Sequence, residues 1–173
     1  MLFINGLDKD NSDFIKTVNA IKEKYGHKIA PMIVPNMIDG KMKGFVKVAY
    51  GVLRDWERNE YPIPDYLLDA YEEAKLAITE AAAENDESLL EKFFADGELA
   101  PEEIEIGVKK GINSCSTITV LGGSAYKNHG VFNLMDKIIS TLPSPIDRGG
   151  RKGTDASGEK IMVKPDASAQ TIV

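Results

Sequence analysis

Two stretches, one near each end of the chain, share the pattern of a short apolar strand, a polar turn and an amphipathic helix. Residues 2–5 predict a buried strand, and residues 118–121 predict another. Apolar residues then recur at helical spacing after each strand. They are Phe14, Val18, Ile21 and Tyr25 in the first helix and Val131, Leu134, Ile138 and Leu142 in the second. The repeated strand–helix unit predicts the α/β fold class, with the two strands side by side in a parallel sheet.

Residues that favour helix ends flank the first helix. Asp10, Asn11 and Ser12 are candidate N-caps, and Gly26 is a candidate left-handed C-cap. The second helix ends before Pro143, because proline cannot continue a helix. These signals predict where each helix begins and ends.

The chain between the two units, residues 28–114, has a different pattern and is interpreted as an insertion. It opens with β-like runs at 29–34 and 45–53, separated by a turn-rich segment at 36–41. Phe45, Lys47 and Ala49 alternate with Val46, Val48 and Tyr50, which predicts a hairpin strand with one solvated face. Trp56 either closes the end of a small core or marks a binding surface, and the first is the expectation.

Three acidic helices are predicted in the rest of the insertion. Asp65 is expected to cap the first, and a second short helix is expected to end at Gly97 before a third begins at Pro101. The expected apolar positions are Leu67, Tyr71, Ala74, Ile78 and Ala81; Leu89, Leu90, Phe93 and Phe94; and Ile104, Val108 and Ile112. The opposite face of the first helix carries Asp69, Glu72, Glu73, Glu80 and Glu84. This acidic face is either solvated or docks a basic helix.

The last part of the chain is expected to open a further domain. Residues 146–159 are polar, glycine-rich and aperiodic, which predicts a linker. Residues 161–163 and 172–173 resemble strand fragments without a partner.

Composition narrows the function classes. The chain has 173 residues, 43% of them hydrophobic, and a formal net charge of −6, which argues against a phosphate-tracking nucleic-acid surface. Cys115 is the only cysteine, so we expect neither a disulfide nor a cysteine metal cluster, and a small buried residue there. No apolar run approaches a membrane span, and no signal peptide is visible, so a cytoplasmic protein is the expectation. His27 and His129 are isolated, and neither a metal site nor an acid–base role is assigned to them.

The turns after the two terminal strands carry the candidate chemistry. In a parallel sheet, Asn5, Asp8, Ser124 and Ala125 would meet at the carboxyl edge, where such sheets bind ligands. A carboxylate can accept hydrogen bonds from N1 and N2 of guanine, whereas adenine offers an acceptor at N1. The wrong base would leave that charge unpaired, at a cost of about 1–3 kcal/mol. Asn5 could donate to guanine acceptors, and the N–H of Ala125 could reach the exocyclic oxygen.

Two motifs carry a resemblance to a known family. Asn5-Gly6-Leu7-Asp8 resembles the Asn-Lys-x-Asp motif of GTPases, and Gly123-Ser124-Ala125-Tyr126-Lys127-Asn128-His129-Gly130 resembles the fifth motif in the form that elongation factor G uses. The acidic helices and residues 142–147 are also similar to elongation factor G, so the resemblance covers nearly the whole chain. It implies a partial P-loop-GTPase-type parallel sheet that carries an inserted α+β subdomain.

The resemblance implies a domain organisation and partners. Residues 1–27 and 115–142 would be the C-terminal part of a GTPase domain, 28–114 the inserted subdomain, and 143–173 a linker and the start of the next domain. Guanine would contact Asn5 and Asp8, with Ser124 and Ala125 supporting the loop. GTP or GDP would be the ligand of the parent protein, with Mg²⁺ in the parent only. The ribosome and its stalk protein would be the partners. The alternatives are a non-hydrolysing paralogue used as a protein-binding module, or a ribosome-protection or release-factor GTPase.

The chain departs from the family pattern in three ways. Gly6 replaces the lysine whose stem packs on the base. The hairpin segment around 45–62 is shorter than is usual in the family. The only Gly-Lys pair, Gly40-Lys41, is followed by Met42, so a P-loop is missing. We therefore expect no GTP hydrolysis and negligible GTP affinity from this chain alone, and no catalytic residue is assigned.

Overall fold

The computed structural model describes residues 1–26, 29–144, 146–147 and 149–164. The chain divides into two compact units, Met1–Thr141 and Leu142–Val173. The strands, in chain order, are β1 (Leu2–Asn5), β2 (Ile29–Pro31), β3 (Ile33–Ile38), β4 (Lys41–Lys47), β5 (Val52–Asp55), β6 (Glu60–Tyr61), β7 (Ile118–Gly123), β8 (Arg151–Thr154) and β9 (Lys160–Val163). The helices are α1 (Phe14–Tyr25), α2 (Asp65–Ala83), α3 (Glu87–Asp96), α4 (Pro101–Ser114) and α5 (Val131–Thr141).

The first unit has a mixed α/β fold built on a parallel sheet of three strands, in the order β1-β7-β2. The predicted parallel pairing of the two terminal strands is confirmed, with Asn5 opposite Gly123. β1 is only partly buried, however, because Leu2 and Asn5 are exposed. The insertion predicted from residue 28 shares its first strand with this sheet, since β2 pairs with β7.

The rest of the predicted β segment forms a separate antiparallel sheet of four strands, in the order β3-β4-β5-β6. The predicted run at 29–34 is therefore two strands, and Met32 between them donates its N–H to Val120 of the parallel sheet at 2.9 Å. The predicted solvated face is wrong, because Phe45, Val46 and Val48 are all buried. The strand β4 lies between two others and buries both of its faces near residue 45, so alternation gives no exposed side there.

The buried positions of α2 and α4 follow the predicted apolar periods, whereas α1 and α2 begin at caps other than those predicted. Asp13, and not Asp10, Asn11 or Ser12, caps α1 by accepting a hydrogen bond from the N–H of Lys16 at 2.9 Å. Pro64 takes the N-cap position of α2, and Asp65 is its first residue. α3 ends at Gly97, as predicted, and Gly97 is in the left-handed conformation. The left-handed cap predicted at Gly26 is wrong, because Gly26 combines φ of 75° with ψ of −161°.

Two predictions of buried side chains, for Cys115 and for one face of α5, are wrong. Cys115 is exposed and ends α4 in the left-handed conformation, with φ of 61°. The predicted inward stripe of α5 is only partly covered, since Ile138 is 41% exposed.

One hydrophobic core joins the parallel sheet to the insertion. It includes Leu7 and Val120 beside the parallel sheet, Val46 in the antiparallel sheet, and Ile78 and Ile104 in the helices. Trp56 packs on this core, as expected. Within the described residues, no helix combines the length and apolar character needed to cross a bilayer.

The second unit contains a β-hairpin where a linker and an unpaired strand were predicted. β8 and β9 pair antiparallel, from Arg151 opposite Val163 to Thr154 opposite Lys160. The Asp155 carboxylate closes the turn by accepting hydrogen bonds from the N–H groups of Ser157 and Glu159, each at 2.9 Å. Residues 172–173, the other predicted strand fragment, lie outside the described residues.

Candidate functional site

The ends of β1 and β7 lie side by side and bring the four predicted site residues to one edge of the sheet. Asn5 is in register with Gly123, and the N–H of Leu7 extends the pairing by donating to the carbonyl of Gly123 at 3.0 Å. This is the carboxyl edge of parallel strands, where α/β sheets bind ligands. The chain segments 5–8 and 123–125 therefore meet at this edge of the sheet.

A hydrogen bond ties the two segments together. The N–H of Ala125 donates to the side-chain oxygen of Asn5 at 2.9 Å. The expectation that this N–H is free for an exocyclic oxygen therefore does not hold in this structure. Since the Asn5 oxygen faces Ala125, the Asn5 amide nitrogen remains as a donor for a ligand acceptor. Both residues are exposed, so the position is accessible.

Ser124 connects the loop to Asp8. Its side chain is almost fully buried, at 1% exposed, and its oxygen accepts the N–H of Lys127 at 3.1 Å. Hydrogen bonding from Ser124 is the main cause that lowers the pKa of Asp8 below 3.8, and the positive charges of Lys127 and Lys9 act in the same direction. The Asp8 carboxylate is thus ionised at neutral pH and has acceptor capacity left for a pair of donors.

Residues 124–129 form a short loop whose two ends are bonded to each other. Ser124 and His129 exchange two backbone hydrogen bonds, at 3.0 and 2.9 Å. Gly123 permits this closure, because a Cβ there would collide with the carbonyl oxygen of His129. Gly130 adopts φ of 77°, a conformation that favours glycine. The glycines flanking the 124–129 loop are therefore required by its geometry.

Gly6 has a conformational role in the other segment. Its φ is 85°, and its carbonyl accepts the N–H of Lys9 at 3.0 Å, which turns the chain so that Asp8 follows β1 closely. A residue with a side chain would be strained there. The turn at this position therefore suits glycine.

Sequence reasoning missed the roles of Lys127 and His129. The spacing of Ser124 and Lys127 is typical of a serine-closed turn, and this signal could have identified the Lys127 N–H. The imidazole of His129 stacks on the indole of Trp56, with ring centroids 4.3 Å apart and planes 9° from parallel. No sequence pattern connects these two distant residues. Desolvation, the main cause, lowers the pKa of His129, while the charge of Asp8 opposes it.

A groove of about 330 Å³ lies beside the 124–129 loop. Its walls come from the inserted sheet, the loop and the start of α5, and include Arg54, Arg58, Trp56, Lys127, His129 and Phe132. In the part of the chain that the structure describes, no group of three His, Cys, Asp or Glu side chains could hold a metal ion.

Comparisons with known proteins inform the fold. No protein-family model matches the chain. Its structure is similar to the crystal structure of a protein from Thermus thermophilus, with a TM-score of 0.76 and 25% sequence identity. The match covers 88% of this chain and 23% of that protein, so the chain spans about a quarter of its length. The name of that protein states no activity. The likeness therefore supports the mixed α/β fold.

Proposed function

We propose that this chain is part of an elongation factor G-like translational GTPase and forms the guanine side of its nucleotide site together with an inserted subdomain. The observation that carries the proposal is the meeting of Asn5 and Asp8 with Ser124 and Ala125 at one sheet edge. The family resemblance makes that same set the guanine contacts. A structural relative about four times as long is consistent with a chain that contributes one part of a larger protein.

The chemistry of the site fits a guanine base. The ionised Asp8 offers two acceptor oxygens to the paired donors of guanine, and Ser124 and the nearby lysines lower the pKa of this carboxyl group. Asn5 keeps an amide N–H₂ group for a guanine acceptor while its oxygen fixes Ala125. Adenine would place its N1 acceptor against the carboxylate, which is unfavourable.

The phosphate side is not supplied by this chain. Its only Gly-Lys pair lies at the β3–β4 turn, where Gly40 is followed by Lys41 and Met42 instead of the serine or threonine of a P-loop. GTP hydrolysis, the Mg²⁺ site and binding in the micromolar range would belong to the complete protein, acting in the cytoplasm.

The acidic face of α2 is the proposed contact for the ribosomal stalk protein. Its carboxylates point away from the core and are exposed: Asp69, Glu72, Glu73, Glu80 and Glu84. Glu73 is paired with Lys22 at 3.4 Å, which leaves most of the charge on this face for a basic partner. The ribosome would be the assembly in which this contact forms.

Nucleoside titrations of the chain test the guanine site. In NMR spectra, millimolar guanosine should shift the amide signals of Ala125 and Lys127, and adenosine should not. Asp8→Asn should abolish the guanosine shifts, whereas Asp10→Asn, at an exposed neighbouring position, should retain them. For the complete protein, calorimetry should show micromolar binding of GDP but not ADP, abolished by Asp8→Ala. A folded complete protein without GDP binding would rule the proposal out.

One observation favours a second function, a non-hydrolysing paralogue used as a protein-binding module. Gly6 removes the lysine stem that packs on the base, and its φ of 85° disfavours any side chain there. A complete protein that binds ribosomes equally well with and without guanine nucleotides would support this function. Nucleotide-dependent ribosome binding would favour the GTPase, with ribosome-protection and release-factor GTPases as its nearest variants.

A further inference from the structure

An aromatic pair joins the inserted sheet to the 124–129 loop. Trp56 follows β5, and its ring is stacked on that of His129 at 4.3 Å between centroids. On the side of the insertion, the indole N–H donates to the carbonyl of Met42 at 3.2 Å, and Phe45 lies 5.9 Å away in a tilted arrangement. These contacts with β4 fix the position of the indole ring that stacks on the loop.

The backbone of His129 links the aromatic pair to the residues that are proposed to bind the base. Its N–H and carbonyl both bond to Ser124, the residue whose hydroxyl supports Asp8. Ser124 precedes Ala125, which is tied to Asn5. The stacked ring and the backbone bonds to Ser124 belong to the same residue, so the stack restricts how far the closed end of the 124–129 loop can move.

We propose that Trp56 and His129 are positioning residues through which the inserted sheet holds the 124–129 loop in its base-binding arrangement. A partner that displaces β4 or β5 would then loosen the loop and change the guanine site without touching the base. The effect on guanine rests on the proposed function. The effect on the loop does not, since it concerns hydrogen bonds within the chain.

Native-state amide exchange tests the effect on the loop. Trp56→Leu keeps an apolar side chain but removes the stacking, so exchange at Ser124, Ala125 and His129 should rise about two- to tenfold, the range expected for one lost aromatic pair. Exchange at Val120 and Leu121 in β7 should stay unchanged. Trp56→Phe retains a ring and should restore most of the protection.

A matched destabilising variant separates positioning from general loss of stability. Val46→Ala removes buried volume from β4, and Val46 is fully buried and is neither member of the aromatic pair. It should lower the unfolding midpoint at least as much as Trp56→Leu while leaving exchange in the 124–129 loop unchanged. Equal loop exchange in Val46→Ala and Trp56→Leu, or no rescue by Trp56→Phe, would overturn the proposal.

Guanosine titration tests the effect on the ligand. Trp56→Leu should weaken guanosine binding by about the same factor as it increases loop exchange, and Trp56→Phe should recover it. If the unaltered chain binds no guanosine, the proposed function fails, and amide exchange alone decides the positioning role. If guanosine binds but its affinity is the same in Trp56→Leu and the unaltered chain, the positioning role fails and the proposed function stands.

Discussion

The side-chain oxygen of Asn5 accepts a hydrogen bond from the backbone N–H of Ala125 at 2.9 Å, although the two residues are 120 positions apart in the chain. It adds to the bond between the Leu7 N–H and the Gly123 carbonyl, which joins the same two segments. The bond uses the side-chain oxygen of Asn5, leaves its amide nitrogen as a donor and anchors the start of the 124–129 loop. The Asn5 side chain therefore supports both segments.

Substitutions of Asn5 should loosen the 124–129 loop only when they remove the side-chain oxygen that accepts the Ala125 N–H. Asn5→Ala removes the acceptor, and since a typical hydrogen bond contributes about 0.5–1.5 kcal/mol, exchange of the Ala125 amide should rise about two- to tenfold. Asn5→Asp retains an oxygen and should keep this amide protected. Amide exchange followed by NMR measures both. Equal exchange in the two variants would show that the bond does not anchor the loop.

Asp8 should make the folded chain lose stability in acid. Its folded pKa lies below 3.8, so as pH falls the unfolded chain takes up the proton first. The stabilisation is present above pH 3.8 and is lost as pH falls through the folded pKa. The difference in urea midpoint between the unaltered chain and Asp8→Asn should therefore shrink over this range. A difference that is constant from neutral pH into acid would contradict the Ser124–Asp8 interaction.

Much of the fold could be predicted from the sequence because helix periods and strand ends are local signals. The apolar spacing of α2 and α4 and the parallel pairing of β1 with β7 follow from such patterns. The hairpin alternation failed because burial depends on what packs on each face of the sheet: Phe45 and Val46 point to opposite faces of β4, and both belong to the hydrophobic core. Cys115 failed because the chain adopts a left-handed helix end there, which composition does not reveal.

The sequence predicted that the four candidate residues lie together, but it did not predict the contacts that support them. Asn5, Asp8, Ser124 and Ala125 follow apolar strands, and a parallel sheet places such positions together. The use of the Ala125 N–H by Asn5 is a matter of side-chain geometry, and the Trp56–His129 stack joins two elements without a shared pattern.

By contrast, the hairpin turn at Asp155 had a local signal, since aspartate and glycine with an intervening serine favour turns.

Gly107→Ala should destabilise the insertion although alanine is the better helix former. Gly107 in α4 is buried, and a Cβ there would collide with the backbone of Ala82 in α2. Overpacking costs about 1–3 kcal/mol, which exceeds the roughly 0.5–1 kcal/mol gained from helix propensity. Urea unfolding should show a net loss. Lys109→Ala, at an exposed position in the same helix, should change stability by less than about 0.5 kcal/mol. A more stable Gly107→Ala would mean that the helices separate readily.

Titration of His129 should be visible in the fluorescence of Trp56, the only tryptophan of the chain. An imidazolium stacked on an indole quenches its emission, so emission should fall on acidification with a midpoint below pH 6.5, because desolvation outweighs the attraction of Asp8. The unfolded chain binds the proton of His129 before the folded chain does. The contribution of His129 to folding stability is therefore complete above pH 6.5 and declines as pH falls toward the folded pKa. His129→Phe should keep the ring contact and abolish the fluorescence transition. A midpoint above 6.5 would show that Asp8 dominates His129.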